Sequence, residues 1–142
     1  MSIRSLDPML RPVYVVPRDD IAGGLLIPAM AVATSVRCMA GFFSSSSFTQ
    51  LAPGLAAFLN RSRGTIRLLL SPKIEDNDRH AIEAASADPQ AVLASAAEKL
   101  FKDGMLNESA LARHTVQCLA YLVASGRANL RVETDAHATR IL

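Results

Sequence analysis

Apolar residues recur along this chain with two different spacings, and each change of spacing predicts a change of element. One helix face is predicted by residues at i, i+4, i+7 and i+8, namely Leu51, Leu55, Phe58 and Leu59. In contrast, residues 68–70 are consecutive leucines, which is typical of a strand covered on both faces. The pattern therefore predicts both helices and buried strands.

Proline and glycine divide the N-terminal part of the chain. Residues 1–18 are predicted to form an arm, irregular apart from a short β-prone run at Val13–Val16. Asp19 or Asp20 is expected to cap a helix that continues to about Ala33, because an aspartate accepts the free N–H groups of a first turn.

Two strands and a helix are predicted in the middle of the chain. Val36–Phe43 and Thr65–Leu70 are apolar and β-prone, and the helix containing Leu55 lies between them. A run of four serines, Ser44–Ser47, forms the loop after the first strand. This is the order of a βαβ unit, in which the two strands are parallel.

The C-terminal half predicts three helices and a final strand. Asp76 starts the first helix, Asp88-Pro89 starts the second, which ends at Asp103-Gly104, and Asn107 caps the third. The buried positions expected in the second and third helices are Val92, Leu93, Ala96, Leu100, Leu111, Cys118, Leu119 and Leu122. The final strand alternates apolar Leu130 and Val132 with charged residues.

The predicted fold class is α/β, a mostly parallel sheet flanked by helices with right-handed crossovers. Residues 1–18 form the arm and residues 19–142 a single domain. Because the chain stops directly after the last strand, we expect the domain to be incomplete at its C-terminus. The missing element would leave a sheet edge or apolar face uncovered, so self-association, as a homodimer, is expected there.

Composition excludes two classes of protein. Half of the 142 residues are hydrophobic, which is too many for an intrinsically disordered chain. Two cysteines, Cys38 and Cys118, are too few for a disulfide framework, and both are expected to be core thiols. Aromatic residues make up only 5% of the chain, so its core is expected to be aliphatic.

The small net charge argues against a protein that binds nucleic acid through general electrostatic attraction. Interruptions in the uncharged stretches argue against a membrane protein. The net charge is only +2, although twelve of the fifteen cations are arginine, the side chain that binds phosphate with two donors. Codon usage in a GC-rich genome is an alternative reason for the arginines. The two uncharged stretches, 21–36 and 38–60, are broken by glycine, proline or serines, and the first twelve residues lack the apolar run that is typical of a signal peptide. The expected location is cytoplasmic.

The segment GFFSSSSF, residues 41–48, is the strongest candidate for a binding site. It follows a predicted strand and begins a predicted helix, where free N–H groups and serine hydroxyls suit a phosphate. Ser44, Ser45, Ser46 and Ser47 are therefore the candidate phosphate-binding residues. The alternative is helix capping, since Ser47 and Gln50 have the spacing of a capping box.

Other chemistry has little support in the sequence. His114 and Cys118 share a helix face, but no third metal ligand lies near them, so no metal site is predicted. The carboxylates of the helix that begins at Asp76 are expected to complement its dipole: Glu75, Asp76, Asp78 and Glu83. No nucleotide-binding glycine motif is present, and no cofactor is predicted.

Several segments together resemble a known family. These are IAGGLLIPAMAVATSV, GFFSSSSF, LAPGLAAFL, RLLLSP and the later RHTVQCLAYLVASGRANLRV, which cover about residues 20–135. They resemble the opening half of a phospholipase D-like nuclease domain, of the bacterial type that precedes a helicase or belongs to restriction and anti-phage systems. The resemblance implies a hydrolase directed at DNA phosphodiester bonds, which forms a homodimer and has a helicase or a C-terminal region as partner.

The family's catalytic motif is missing from this sequence. In that family the histidine of a His-x-Lys motif forms a covalent phospho-histidine, and the lysine holds the phosphate. Here His137 is followed by Ala138 and Thr139, and no His-x-Lys occurs. We therefore expect a truncated domain with no catalytic residues of its own, inactive alone. The alternatives are a non-catalytic module that binds nucleic acid or a partner protein, and a small α/β domain that binds an anionic small molecule.

Overall fold

The computed structural model describes the backbone of residues 3–133 and 138–140, and the surroundings of side chains 3–131. It has the predicted α/β architecture, with six α-helices and one main sheet over this part of the chain. The helices are α1 (Ile27–Val32), α2 (Phe48–Arg61), α3 (Asp76–Ala87), α4 (Pro89–Leu100), α5 (Glu108–Arg113) and α6 (Thr115–Ala124). The strands are β1 (Val36–Ala40), β2 (Ile66–Leu70), β3 (Phe101–Lys102), β4 (Met105–Leu106), β5 (Ala128–Glu133) and β6 (Ala138–Arg140).

The main sheet has the order β1-β2-β5-β6. β1, β2 and β5 are parallel, and β6 runs antiparallel to β5. β3 and β4 form a separate two-stranded hairpin. The sheet is thus mostly parallel, as the crossover lengths predicted.

All three parallel strands follow one another in a single direction across the sheet, which explains where the helices lie. Right-handed crossovers between strands that advance in one direction place every connecting helix on the same face. The side chains agree: Leu68 and Leu130 are buried, whereas Arg67 and Arg131, one position away, are exposed. The sheet therefore has one covered and one open face.

One continuous core fills the space between the helices and the covered face of the sheet. Its fully enclosed members are mostly leucine, as the low aromatic content predicted. Phe58 is an aromatic member of this enclosed set: it is completely buried, and the Arg127 guanidinium lies 5.7 Å from the centre of its ring. The predicted stripe of the C-terminal helices is confirmed at Leu111, Cys118, Leu119 and Leu122.

Helices α1 and α2 cross at Gly54. A Cβ at this position would lie 2.9 Å from the Cα and from the carbonyl oxygen of Ile27. Real Cβ atoms essentially never come this close to backbone atoms, so the absence of a side chain is what permits the contact.

The N-terminal arm is anchored by polar contacts. Asp19 accepts hydrogen bonds from Val15 N at 2.6 Å and from the Arg11 guanidinium at 2.9 Å, and both lower the pKa of its carboxyl group. The Tyr14 hydroxyl donates to the carbonyl oxygen of Gly24. The β-prone run predicted at Val13–Val16 is not a strand, because its residues form a loop held by these contacts.

Several predicted boundaries also need correction. The helix expected up to Ala33 begins as a π-helical turn, Ala22–Leu26, and becomes α1 only from Ile27. The first strand ends at Ala40, because the next residues turn away and leave Phe43 in a single bridge with Ile74. Complete coverage of β2 was wrong as well, since the open face leaves Arg67 exposed.

The C-terminal half contains more elements than predicted. Its second helix ends at Leu100, and Asp103-Gly104, with φ of 54° and 77°, is the turn of the β3–β4 hairpin. Its third helix is broken at His114 into α5 and α6. The caps predicted at Asp88 and Asn107 are confirmed, because both side chains accept hydrogen bonds from the following N–H groups. The predicted helix at 76–87 is also confirmed.

Candidate functional site

The serine loop lies where the sequence placed it, at the carboxyl end of β1. The loop after β2 lies beside it, and the bridge between Phe43 and Ile74 joins the two. Loops at this edge of a parallel sheet are the usual place for ligands in α/β proteins. That rule applies most strongly where the strand order reverses, and among the parallel strands described here the order does not reverse.

Ser44 organises the loop by hydrogen bonds within it. Its Oγ accepts a hydrogen bond from Ser46 N at 3.3 Å and lies 3.0 Å from Ser46 Oγ. Its carbonyl oxygen accepts from Ser47 N and from Ser47 Oγ, at 3.1 and 2.8 Å. Ser44 is therefore the cap of the first turn, a 3₁₀ turn over Ser45–Ser47 that continues into α2.

The backbone N–H of Ser45 donates a hydrogen bond to a buried carboxyl group. Asp78, in the first turn of α3, is fully buried, and its Oδ2 accepts a hydrogen bond from Ser45 N at 2.7 Å. The Ser45 hydroxyl donates to Thr115 Oγ1, at the start of α6, over 3.4 Å. Three helix beginnings thus meet at this serine.

These contacts restrict what the serine loop can bind. The N–H groups of Ser45, Ser46 and Ser47 all have partners within the protein. Ser44 and Ser45 are buried, so the hydroxyls of Ser46 and Ser47 are the accessible groups of the four candidates. The capping box predicted for Ser47 is wrong: its side chain caps no N–H of α2, because it bonds back to Ser44.

The other residues considered in the sequence lie apart from this loop or in structural positions. Cys118 is a core thiol as predicted, and burial raises its pKa to about 12. Cys38 is exposed, which corrects the expectation of a second core thiol: β1 is an edge strand, so no outer neighbour covers it. Among the described residues no group of three or more His, Cys, Asp or Glu side chains is placed to hold a metal.

The open face of the sheet is a second candidate site. Two rows of side chains cross it: Arg37, Arg67 and Asn129 are paired in register, and so are Met39, Leu69 and Arg131. Together they line a groove of about 680 Å³. All three arginines are exposed, and Met39 is 78% exposed.

These arginines have no structural partner in the part of the chain that is described. No carboxylate lines the groove within it, and no ion pair or hydrogen bond of these three side chains is found there. Other arginines do have structural roles: Arg61 donates to the carbonyl oxygens of Ala31 and Ala33. Within the described side chains, the groove is thus a basic surface without a neutralising carboxylate.

The sequence carries a signal for this surface, although the surface was not among its predicted sites. Each of the three parallel strands carries one arginine between apolar residues, in VRCMA, IRLLL and ANLRVE. Because neighbouring strand positions point to opposite faces, an arginine inside an apolar strand marks an exposed face. The sequence alone does not give the register between β1, β2 and β5, and this register is what brings the three arginines close together on one face.

Comparison of the chain with protein-family models, with curated proteins and with solved structures found no match. Within the described residues, no helix has the length and apolar character needed to cross a membrane.

Proposed function

We propose that this chain is the N-terminal portion of a phospholipase D-like nuclease domain directed at DNA phosphodiester bonds, and that it is catalytically incomplete by itself. A cytoplasmic place of action and a helicase partner belong to the same proposal. The observation that carries it is the unit β1–α2–β2, in which three of the five resembling segments meet.

The unit supports the proposal through its arrangement. GFFSSSSF begins at the carboxyl end of β1, LAPGLAAFL forms the body of α2, and RLLLSP supplies β2 and the loop after it. Three of the five segments that resemble the family therefore form one continuous structural unit, with its loops at the sheet edge where α/β enzymes bind substrates.

The expected lack of activity is supported by the sequence. A phospho-enzyme route needs a nucleophile and a cationic group that stabilises the charged transition state. The three histidines are followed by Ala-Ile, Thr-Val and Ala-Thr, so none begins a His-x-Lys motif. His80 is exposed on α3 and His114 separates α5 from α6, which places neither on the strand that carries this motif in the family.

A second candidate function is a non-catalytic module that binds nucleic acid or a partner protein. The observation that favours it is the basic open face of the sheet, where three arginines have no partner among the described residues. In this case the serine loop would be structural, as its internal hydrogen bonds support.

The experiment measures hydrolysis of DNA and of a model phosphodiester by the purified 142-residue chain, with and without EDTA. We expect no turnover in either condition, because the nucleophile is absent. DNA binding by the same preparation is measured in parallel and is expected. Metal-independent hydrolysis that survives repurification would contradict the proposal that the chain lacks its catalytic nucleophile. A chain that binds no DNA would contradict the proposal that the domain acts on DNA.

A further inference from the structure

The open sheet face is an unusual feature for a parallel sheet. Parallel sheets are nearly always covered on both faces. In this chain the helices cover one face, while the other exposes Arg37, Met39, Arg67 and Arg131. Such a face is expected to meet something other than water.

The placement of the arginines favours a negatively charged ligand for this face. Arg37 and Arg67 are direct cross-strand neighbours, and like charges in such pairs destabilise a sheet. Arg131 lies on the next strand and one row further along, in register with Leu69. A ligand with regularly repeated anionic groups would remove this repulsion.

We propose that this groove binds single-stranded nucleic acid, with the three arginines on the phosphates and the bases against Met39 and Leu69. The inference deepens the proposed function and rests on it for the class of ligand. It assigns the contact with nucleic acid to the open face of the sheet, away from the serine loop.

The apolar residues favour a single strand over a duplex. Met39 and Leu69 lie side by side in one row, between the arginine pair and the carboxyl edge of the sheet. In a duplex the bases are stacked away from such a surface, and only phosphates would meet it. Unstacked bases of a single strand can lie on apolar side chains and on guanidinium planes.

Nucleic acid also fits this face better than a second copy of the chain. Two such faces packed together would bring six arginines into one interface without a carboxylate among the described lining residues. Buried like charges of this kind are costly. The absence of aromatic residues from the described lining predicts weak and sequence-tolerant binding.

The test compares two triple variants of equal charge. In the groove variant Arg37, Arg67 and Arg131 are changed to glutamine. In the control variant Arg63, Arg79 and Arg113, which are exposed and do not line the groove, are changed to glutamine. Urea unfolding first shows that both variants are folded. Fluorescence anisotropy then measures the affinity for three labelled probes over a range of salt concentrations. The probes are single-stranded oligodeoxythymidine, the duplex of oligodeoxythymidine with oligodeoxyadenosine, and single-stranded oligouridine.

We expect the groove variant to lose about tenfold or more in affinity at low salt. Its dependence of log K on log salt should become shallower by about 2, since each phosphate contact on a single strand contributes about 0.7. The control variant should keep most of its affinity. A third variant, with lysine at the three groove positions, should retain the salt dependence because it keeps the charge.

The outcomes separate the inference from the proposed function. Native affinity in the groove variant, or equal losses in both variants, would overturn the groove while leaving a DNA-directed protein. Binding to oligouridine only would keep the groove and overturn the direction at DNA. Tighter binding to the duplex would overturn the preference for a single strand. If the native chain binds none of the three probes, both conclusions fail, and an acidic protein becomes the ligand to test.

Discussion

Asp78 is the residue whose role is least visible in the sequence. It belongs to the acidic first turn of α3, where a carboxylate is ordinarily exposed and complements the helix dipole. Here it is fully buried: Oδ2 accepts the hydrogen bond from Ser45 N, while Oδ1 has no partner within the described residues. A buried polar atom without a partner is costly, so Asp78 serves the serine loop rather than the stability of α3.

Substitution of Asp78 separates its hydrogen bond to the serine loop from its interaction with the dipole of α3. Asp78→Ala leaves Ser45 N buried without an acceptor, and we expect the free energy of unfolding to fall by about 1–3 kcal/mol. Asp78→Asn keeps an acceptor oxygen and should cost less. Urea unfolding measures both. Asp76→Ala, in the same turn but exposed, is the control and should cost about 0.3–1 kcal/mol through the helix dipole. A larger loss in Asp76→Ala than in Asp78→Ala would contradict this account.

At the scale of elements, the β3–β4 hairpin shows how a side chain can replace a strand. Asn60, near the end of α2, accepts a hydrogen bond from Leu106 N at 2.9 Å and donates to its carbonyl oxygen at 3.3 Å. The amide therefore satisfies the outer backbone groups of β4. This contact fixes the hairpin to α2 and places buried Leu106 in the core.

The crossing of α1 and α2 predicts the effect of one methyl group. Gly54→Ala would ordinarily favour a helix by about 1 kcal/mol. Here its Cβ would meet backbone atoms of Ile27 at 2.9 Å, so we expect a net loss of about 1–3 kcal/mol as the helices move apart. Thermal and urea unfolding measure it. Gly41→Ala, whose Cβ would meet nothing within 4 Å, is the control. A stabilised Gly54→Ala protein would show that the two helices are not packed closely at this point.

Elements with local signals were predictable, and contacts between distant residues were not. The caps at Asp88 and Asn107, and the stripe of α6, depend on spacings within one or two turns. The hairpin was missed although Asp103-Gly104 is a typical turn pair, because its strands have only two residues each.

For the site, the serine loop was placed at the correct strand end. The hydrogen bond from Ser45 N to Asp78 could not be predicted, because the two residues are 33 positions apart in the sequence.

At the scale of the whole molecule, the two edges of the sheet differ from the expectation. The edge beside β5, expected to be open, is occupied by β6. Among the described residues no strand pairs with the outer side of β1. Val36 N donates to Thr65 and Ala40 O accepts from Ser71, so the alternate residues Arg37 and Met39 direct their backbone groups outward. Self-association therefore remains a prediction, now at the β1 edge.

We expect the chain to form a weak dimer through pairing of β1 edges, since unpaired edges recruit other chains. Analytical ultracentrifugation at concentrations on the order of tens of micromolar measures it. Met39→Pro removes an outward N–H without a bond to β2 and should give a monomer. Met39→Ser, which keeps that N–H, is the control and should still dimerise. A native chain that sediments only as a monomer in this range would refute the prediction.

The position of β2 has a consequence for synthesis on the ribosome. β2 lies at the centre of the sheet, but its second neighbour, β5, begins only at Ala128, so residues 71–127 are translated between the two strands. At about 5–20 residues per second this takes roughly 3–11 s. During that interval the βαβ unit exists with one side of its Leu68-Leu69-Leu70 strand unpaired. We therefore expect nascent chains of this protein to be most prone to aggregate, and most in need of a chaperone, while α3 to α6 are being made.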